Sequence, residues 1–253
     1  MLEFVDLEAA RAARGVRMVT PGNVASPWSE AAKGLFRVAG IPVLVNRFDR
    51  TDDAQQAWTH ARNVPVVFHG DDPPRTVWSQ ILALAVRLGP PGALVPIELD
   101  RRTAMIGMLH EIAGEDGMGW NARLTMIHAG LESEGTRGFS LPIAKFLAAK
   151  YGYTAGRMDV ARAQVITTLV ALGAQLGERT YFGDDQPSAL DVYVATFLTP
   201  LCELAEADCP ALGAPARVGF AAARDEFAAH VPGVLHAHRA RMFARHLAWP
   251  ITL

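Results

Sequence analysis

The chain has 253 residues, 50% of them hydrophobic and 20% charged, which supports one large or two small packed domains and excludes disorder. Its 24 Lys and Arg against 26 Asp and Glu leave a formal charge of −2. That balance argues against a nucleic-acid reader, and no apolar run approaches the roughly 18 residues of a membrane span. The acidic opening Met1-Leu2-Glu3-Phe4-Val5-Asp6 lacks the basic start of a secretory signal. Two cysteines, Cys202 and Cys209, are too few for a disulfide framework, so a cytoplasmic protein is expected.

Taken in order, residues 2–13 read as a short amphipathic helix, an N-terminal extension over 1–15. Val16–Thr20 is the first predicted strand. Ser26-Pro27 then opens a helix, since Ser is a good N-cap and Pro suits the first helical position. That helix stops at Gly40, with Pro42 just beyond. Val43-Leu44-Val45 is a second strand, Asp52–Ala61 a second helix, and Val64–Phe68 a third strand. Asp71-Asp72-Pro73-Pro74 turns the chain into a short fourth strand at Arg75–Val77. From Ser79, the apolar positions Ile81, Leu82, Ala85 and Leu88 mark one face of a third helix. The composition changes at Gly89-Pro90-Pro91-Gly92, which is read as a linker over 89–92. Beyond it the spacing predicts only helices, near 96–113, 120–131, 142–150, 157–177, 188–207, 218–230 and 234–247. Ser188-Ala189-Leu190-Asp191 has the form of a capping box.

Three local patterns in this order carry a resemblance. Ser-Pro-Trp-Ser at 26–29 opens the first helix after the first strand. Val-Pro at 64–65 begins the third strand, and Trp-Ser-Gln-Ile at 78–81 follows the predicted hairpin. With the capping box at 188–191, the chain resembles the cytosolic glutathione transferases, in particular bacterial members of the Ser or Cys type. The resemblance covers roughly residues 16–250. It implies a fold of α/β plus all-α class: a thioredoxin-like, glutathione-binding domain over 16–88, then an all-helical domain over 93–253.

The resemblance also implies site residues, each with a plainer reading beside it. Ser26 stands where the family places its catalytic Ser or Cys. A hydroxyl and a helix N-terminus together stabilise a thiolate that otherwise forms only around pH 8.5. The plainer reading of Ser26 is a helix cap. Val64-Pro65 stands where the family has a cis proline, and Val64 would pair with the cysteinyl part of glutathione as an added strand. An ordinary trans Pro at a strand start is the alternative. Ser79 would bind the γ-glutamyl carboxylate at a helix N-terminus, or serve only as a cap. Trp78 departs from the family, which commonly has an acidic or amide side chain there; Trp brings an indole N–H and apolar surface. Arg47 and Arg50 are candidates for the glycyl carboxylate, or solvated surface charge.

The implied activity is addition or exchange of glutathione thiolate on a small hydrophobic electrophile, in a homodimer. Glutathione is the co-substrate, and no metal is implied. Trp28, Met105, Met108, Trp120 and Met126 are candidate walls of the electrophile pocket, though such residues at helical spacing are commonly core. The alternative, favoured by Trp78, is a non-catalytic interaction module on the same fold. No Cys-x-x-Cys stands at 26–29, which excludes dithiol oxidoreductase chemistry there. His230, His236, His238 and His246 look metal-like in a count, but His236 and His238, two apart on a helix, do not share a face, and Arg239, Arg241 and Arg245 would repel a cation.

Overall fold

A computed structural model describes residues 1–61 and 63–253. Four strands form one mixed sheet, and the rest of the chain is helical. The predicted helix over 2–13 is instead a strand and a helix. Leu2–Phe4 (β1) pairs in parallel with the edge of Val43–Arg47 (β3), and helix α1 begins only at Leu7 and runs to Ala12. The reason is local. Asp6 accepts the Ala9 N–H at 2.8 Å and so fixes the helix start after the strand. The extension therefore widens the sheet.

Val16–Thr20 (β2) is buried along its whole length, as a central strand covered on both faces must be. It pairs in parallel with β3, Val16 opposite Val43, and antiparallel with Val66–His69 (β4), Val16 opposite His69. The sheet order is β1-β3-β2-β4. The third strand starts two residues later than predicted, because Pro65 has no N–H for the ladder. The predicted fourth strand at Arg75–Val77 shrinks to one bridge, Arg75 to Val67, with both hydrogen bonds at 2.9 Å. Pro73 and Pro74 precede it, and Trp78–Leu88 (α4) begins at once after Val77. The hairpin is present but short.

Helix α2, Pro27–Val38, lies on this sheet and ends before Gly40, whose φ of 71° is the left-handed conformation that glycine tolerates. Helix α3, Asp53–Thr59, is shorter than predicted because His60 takes a left-handed φ of 48° and closes it. After the 89–98 connection come α5 (Leu99–Ala113), α6 (Met118–Glu132), α7 (Leu141–Tyr151), α8 (Met158–Leu176), α9 (Ala189–Phe197), α10 (Ala214–Phe227) and α11 (Gly233–Arg245). The helix predicted over 188–207 stops at Phe197, and a 3-10 turn takes over at Thr199–Leu201 around Pro200. These features make a thioredoxin-like sheet layer followed by a helical layer.

Helix α9 ties the two layers together, and all nine of its residues are buried. A Cβ at Gly34 of α2 would stand 2.6 Å from Val192 Cγ1, and one at Gly119 of α6 would stand 2.3 Å from Phe197 Cε1. Only glycine permits either approach. The apolar core is correspondingly continuous, running from Met18 and Val45 of the sheet through Leu35 to Val192 and Phe197.

The start of α9 is set by Asp191. Its fully buried carboxylate accepts the N–H groups of Phe182 at 2.8 Å, Gly183 at 3.2 Å and Ser188 at 2.8 Å. The Ser188 hydroxyl donates to it as well, at 2.7 Å. His238 Nε2 lies 3.6 Å from the same carboxylate, on a fully buried ring. Burial lowers the His238 pKa from its ordinary value, and the Asp191 charge opposes that only in part. Partial burial lowers His246 in the same direction, with Arg245 adding to it.

A folded pKa below the unfolded one adds stability that is present above about pH 6.5 and lost as pH falls through the folded value. The thermal midpoint should therefore drop between pH 7.5 and pH 5. The drop should be smaller in His238→Gln, and an equal drop in that variant would place the sensitivity elsewhere.

Candidate active site

Ser26 ends the loop that joins β2 to α2. Its backbone is extended and its carbonyl accepts the Glu30 N–H at 2.9 Å, the ordinary start of a helix. Its hydroxyl makes no capping hydrogen bond. The side chain lines two adjoining cavities instead.

The larger chamber has a volume of about 420 Å³ and the smaller about 200 Å³. Ser26, Trp28, Asn63, Val64, Arg123 and Lys150 line both and so mark their junction. The larger chamber is otherwise walled mainly by apolar side chains, among them Met118, Met126, Phe139, Ile143, Phe146 and Phe220. The smaller one runs past Pro65 and Thr76 to Trp78, Glu115, Trp120, Tyr151 and Tyr193. One compartment thus suits an apolar molecule, and the other a polar, extended one.

The Val64-Pro65 peptide bond is cis. Independently of that, the N–H and C=O of Val64 make no hydrogen bond among the described residues, while Val66 is already paired in β4. An unpaired donor and acceptor on one half-buried residue, at a strand edge inside a cavity, is a docking point for extended backbone.

Trp78 is the first residue of α4 and closes the far end of the smaller chamber. Its carbonyl accepts from the Tyr193 hydroxyl at 3.4 Å, and the two rings meet edge to face at 6.0 Å. Ser79 is not brought to this site. It is exposed and lines a separate cavity with Leu82, Val86, Ile97 and Ile106. Thr76, which the sequence did not single out, occupies the near side in its place.

Of the other candidates, Arg47 is committed elsewhere: its Nε donates to the Leu253 carbonyl at 2.9 Å and its guanidinium lies over the Phe4 ring. Arg50 does reach the larger chamber, with its guanidinium 5.7 Å from the Phe146 ring centre. Trp28, Trp120 and Met126 line the cavities, whereas Met105 and Met108 pack in the core. Among the described residues no three His, Cys, Asp or Glu side chains converge on a common point.

Three further contributors come from the helical layer. The Arg123 guanidinium lies 4.8 Å from the Trp28 ring centre, and its Nη1 donates to the Tyr151 hydroxyl at 2.6 Å. The Lys150 ammonium donates to Asn63 Oδ1 at 2.7 Å. Burial lowers the Lys150 pKa, Tyr151 opposes this, and the charges of Arg123 and Arg50 add to the lowering. Glu115 brings the one carboxylate to the smaller chamber, from the turn between α5 and α6. Their positions at the cavity depend on how α6 and α7 pack, which local patterns do not encode. A hydroxyl, a helix N-terminus and two cations at one junction form a site suited to a soft anion such as a thiolate.

Fold and cavity together define a molecule of glutathione transferase architecture. Among solved structures, the chain is similar to a glutathione S-transferase of Methylobacterium radiotolerans in complex with glutathione sulfonate. That likeness has 16% identity, a TM-score of 0.60, and covers 94% of this chain and 97% of that one. A glutathione S-transferase domain-containing protein of Marinobacter aquaeolei is 18% identical, with a TM-score of 0.60 and coverage of 90% and 98%. A glutathione transferase family member of Pseudomonas fluorescens with two glutathione bound is 14% identical, with a TM-score of 0.56 and coverage of 92% and 89%. At these identities the likeness is one of fold. No protein-family model matches the chain, and no curated protein matches it in sequence.

Because the Ser26 hydroxyl caps nothing, its removal should leave stability nearly intact. Ser26→Ala is expected to lower unfolding free energy in urea by less than ~0.5 kcal/mol, against ~1 kcal/mol for a typical lost N-cap. A loss of 1–2 kcal/mol would return Ser26 to a capping role.

Proposed function

We propose that this chain is a glutathione transferase-like enzyme that joins glutathione thiolate to a small hydrophobic electrophile. The observation that carries this reading is the junction itself: an uncommitted Ser26 hydroxyl beside the unpaired backbone of Val64, between a polar and an apolar chamber. Glutathione lies extended in the smaller chamber, its cysteinyl backbone paired with Val64 as an added strand. Its sulfur reaches the N-terminus of α2, where the Ser26 hydroxyl donates to the thiolate and the helix dipole favours negative charge. The γ-glutamyl end lies toward Thr76 and Trp78. There Glu115 meets its ammonium group, in place of the acidic or amide side chain that Trp78 replaces.

The thiol proton leaves to solvent. The sulfur lone pair then forms a C–S bond to the electrophile in the larger chamber, by addition or with departure of a leaving group. In domain terms, 16–88 supplies the glutathione side and 93–253 the acceptor side. Two free buried cysteines accord with a reducing, cytoplasmic setting. The neighbours described with glutathione or its sulfonate support the choice of co-substrate. A non-catalytic module on this fold is the second reading. Trp78 favours it, because its indole offers no charge to glutathione.

Calorimetric titration separates the two, since the enzyme binds glutathione and the module gives no heat at millimolar concentration. In the enzyme, Ser26→Ala should raise the pKa of the bound thiol by about one to two units, the worth of a hydrogen bond to a charged group. Affinity for glutathione should change little. Activity at neutral pH should fall about tenfold or more and recover in part as pH rises; an unchanged pH–rate profile would remove Ser26 from the chemistry.

A homodimer is part of the same proposal. It is supported by the exposed apolar side chains of α4, α5 and their connection, among them Ile97 and Leu99, each 65% exposed, with Val86 and Ile106 alongside. Sedimentation at micromolar concentration should give twice the chain mass of 27.3 kDa. A mass near that of one chain would refute it.

A further inference from the structure

The charges around the larger chamber do not balance. Arg50, Arg123 and Lys150 line it, and among the described residues no Asp or Glu side chain does. Among the described residues, none of the three stands within 4.0 Å of a carboxylate. Glu115 lines only the smaller chamber. Cations gathered beside apolar walls repel one another, and neighbouring water screens them poorly. Burial is the main cause of the lowered Lys150 pKa, and the charges of Arg123 and Arg50 add to it.

Arg123 is the most committed of the three. It is half-buried between the Trp28 and Tyr151 rings, 4.8 and 5.2 Å from their centres, and held by the Tyr151 hydroxyl. Its Nε is buried with no hydrogen-bond partner among the described residues. The donor open to a partner from outside the chain is Nη2, which makes no hydrogen bond among the described residues and belongs to a side chain that lines both chambers.

Glutathione in the pose above accounts for part of this charge. Its glycyl carboxylate extends from Val64 toward Asn63 and the Lys150 ammonium bonded to it. Its other carboxylate lies at the Trp78 end. Arg123 and Arg50 remain on the side of the larger chamber. That chamber's volume of about 420 Å³ and its walls of Met126, Phe139 and Phe146 require an apolar body.

We propose that the acceptor is an apolar, bicyclic-sized molecule carrying one anionic oxyacid group, a carboxylate or a sulfonate, which Arg123 holds with the help of Arg50. The proposal rests on the reading of the smaller chamber as the glutathione side. Arg123 is then a specificity-determining residue. It forks onto the oxyacid and fixes the ring system against Trp28, while the reacting carbon lies toward Ser26.

The test uses the full chain with S-methylglutathione at saturation, a non-reacting ligand that carries both glutathione carboxylates. Calorimetry then compares 2-naphthoate with neutral 2-naphthamide, which has the same shape. Naphthoate should bind at least tenfold more tightly at low salt, and 0.5 M NaCl should narrow the gap. Arg123→Gln should cut the preference to about threefold or less, and Arg50→Gln, whose side chain lines the larger chamber alone, should leave S-methylglutathione affinity within twofold. Equal binding of the two probes overturns the proposal. So does mutual exclusion between naphthoate and S-methylglutathione, since the cations then belong to the tripeptide. If loss of the Tyr151 contact unfolds Arg123→Gln, exposed Arg50 substituted as Arg50→Gln gives the same comparison. A chain that ignores S-methylglutathione refutes the glutathione reading, yet the naphthoate preference measured without it still decides this proposal.

Discussion

A buried carboxylate with no freedom to move sets the geometry of the whole cavity. Asp191 accepts three backbone N–H groups and one hydroxyl, all from the segment that leads into α9. Such a charge survives burial only because every donor is in place; removing them leaves an ion whose desolvation costs several kcal/mol, about 3–5 by analogy with broken buried pairs. The start of α9 is therefore fixed in position and direction. Two side chains of that helix then hold the cavity walls: Tyr193 against Trp78, and Phe197 edge-on to Trp28 at 4.8 Å. Trp28 is further pinned by its indole N–H, which donates to the Ala113 carbonyl at 2.9 Å. A capping interaction far from the chemistry thus aligns the rings that bound it.

The site belongs to neither layer alone. The sheet layer brings a helix N-terminus with its hydroxyl at Ser26 and a strand edge with open backbone at Val64. Both depend on local chain geometry. The helical layer brings charge and shape, through Arg123 and Met126 on α6 and Phe146 and Lys150 on α7. The close approach of Gly34 on α2 to Val192 on α9 joins the two layers with no room to slide, and Gly119 against Phe197 does the same between α6 and α9 within the helical layer. A helix-terminal hydroxyl in water would do little for a thiolate. Under a lid of apolar side chains, the same hydroxyl and dipole act in a medium of lower dielectric and count for more.

This division of labour explains which parts were legible in the sequence. Ser26-Pro27, Val64-Pro65 and the capping box at Ser188 are written in adjacent residues, because backbone rules for Ser, Pro and Asp act over one turn. The order of strands and helices follows from periodicity and turn residues, and the architecture from the resemblance that these ordered patterns carry. Failures fall where a non-local partner decides. Residues 2–4 became a strand because the edge of β3 was available to them, and nothing in Leu2-Glu3-Phe4 states that. The strand at Arg75–Val77 contracted because two prolines and an immediate helix left room for one bridge. Thr76 precedes α4 and Ser79 lies in its first turn, and the packing of that helix on the rest of the fold places Thr76 at the cavity and Ser79 away from it. Arg123, Lys150 and Glu115 lie dozens of residues from Ser26, so their convergence is a property of packing.

Trp78 shows how packing and charge trade places in this chain. A carboxylate or amide at that position would put polarity at the first turn of α4 and leave Tyr193 with Phe197 but without the aromatic contact across to α4. With Trp there, α4 is sealed to α9 through ring contact and through the Tyr193 hydroxyl on the Trp78 carbonyl. Burial pushes the pKa of that phenol further up, which keeps it a neutral donor. The end of the smaller chamber becomes stiffer and more apolar, and its negative charge must come from another element. Glu115 is exposed, yet it sits on the turn between α5 and α6, within the same cavity wall. A carboxylate on a solvated turn keeps its charge without the desolvation cost it would bear beneath Tyr193. The exchange stabilises the seam between the layers while leaving Glu115 in the smaller chamber, Arg50 in the larger, and Arg123 and Lys150 at their junction. A ligand with charges of both signs is then oriented by the field before any contact is made.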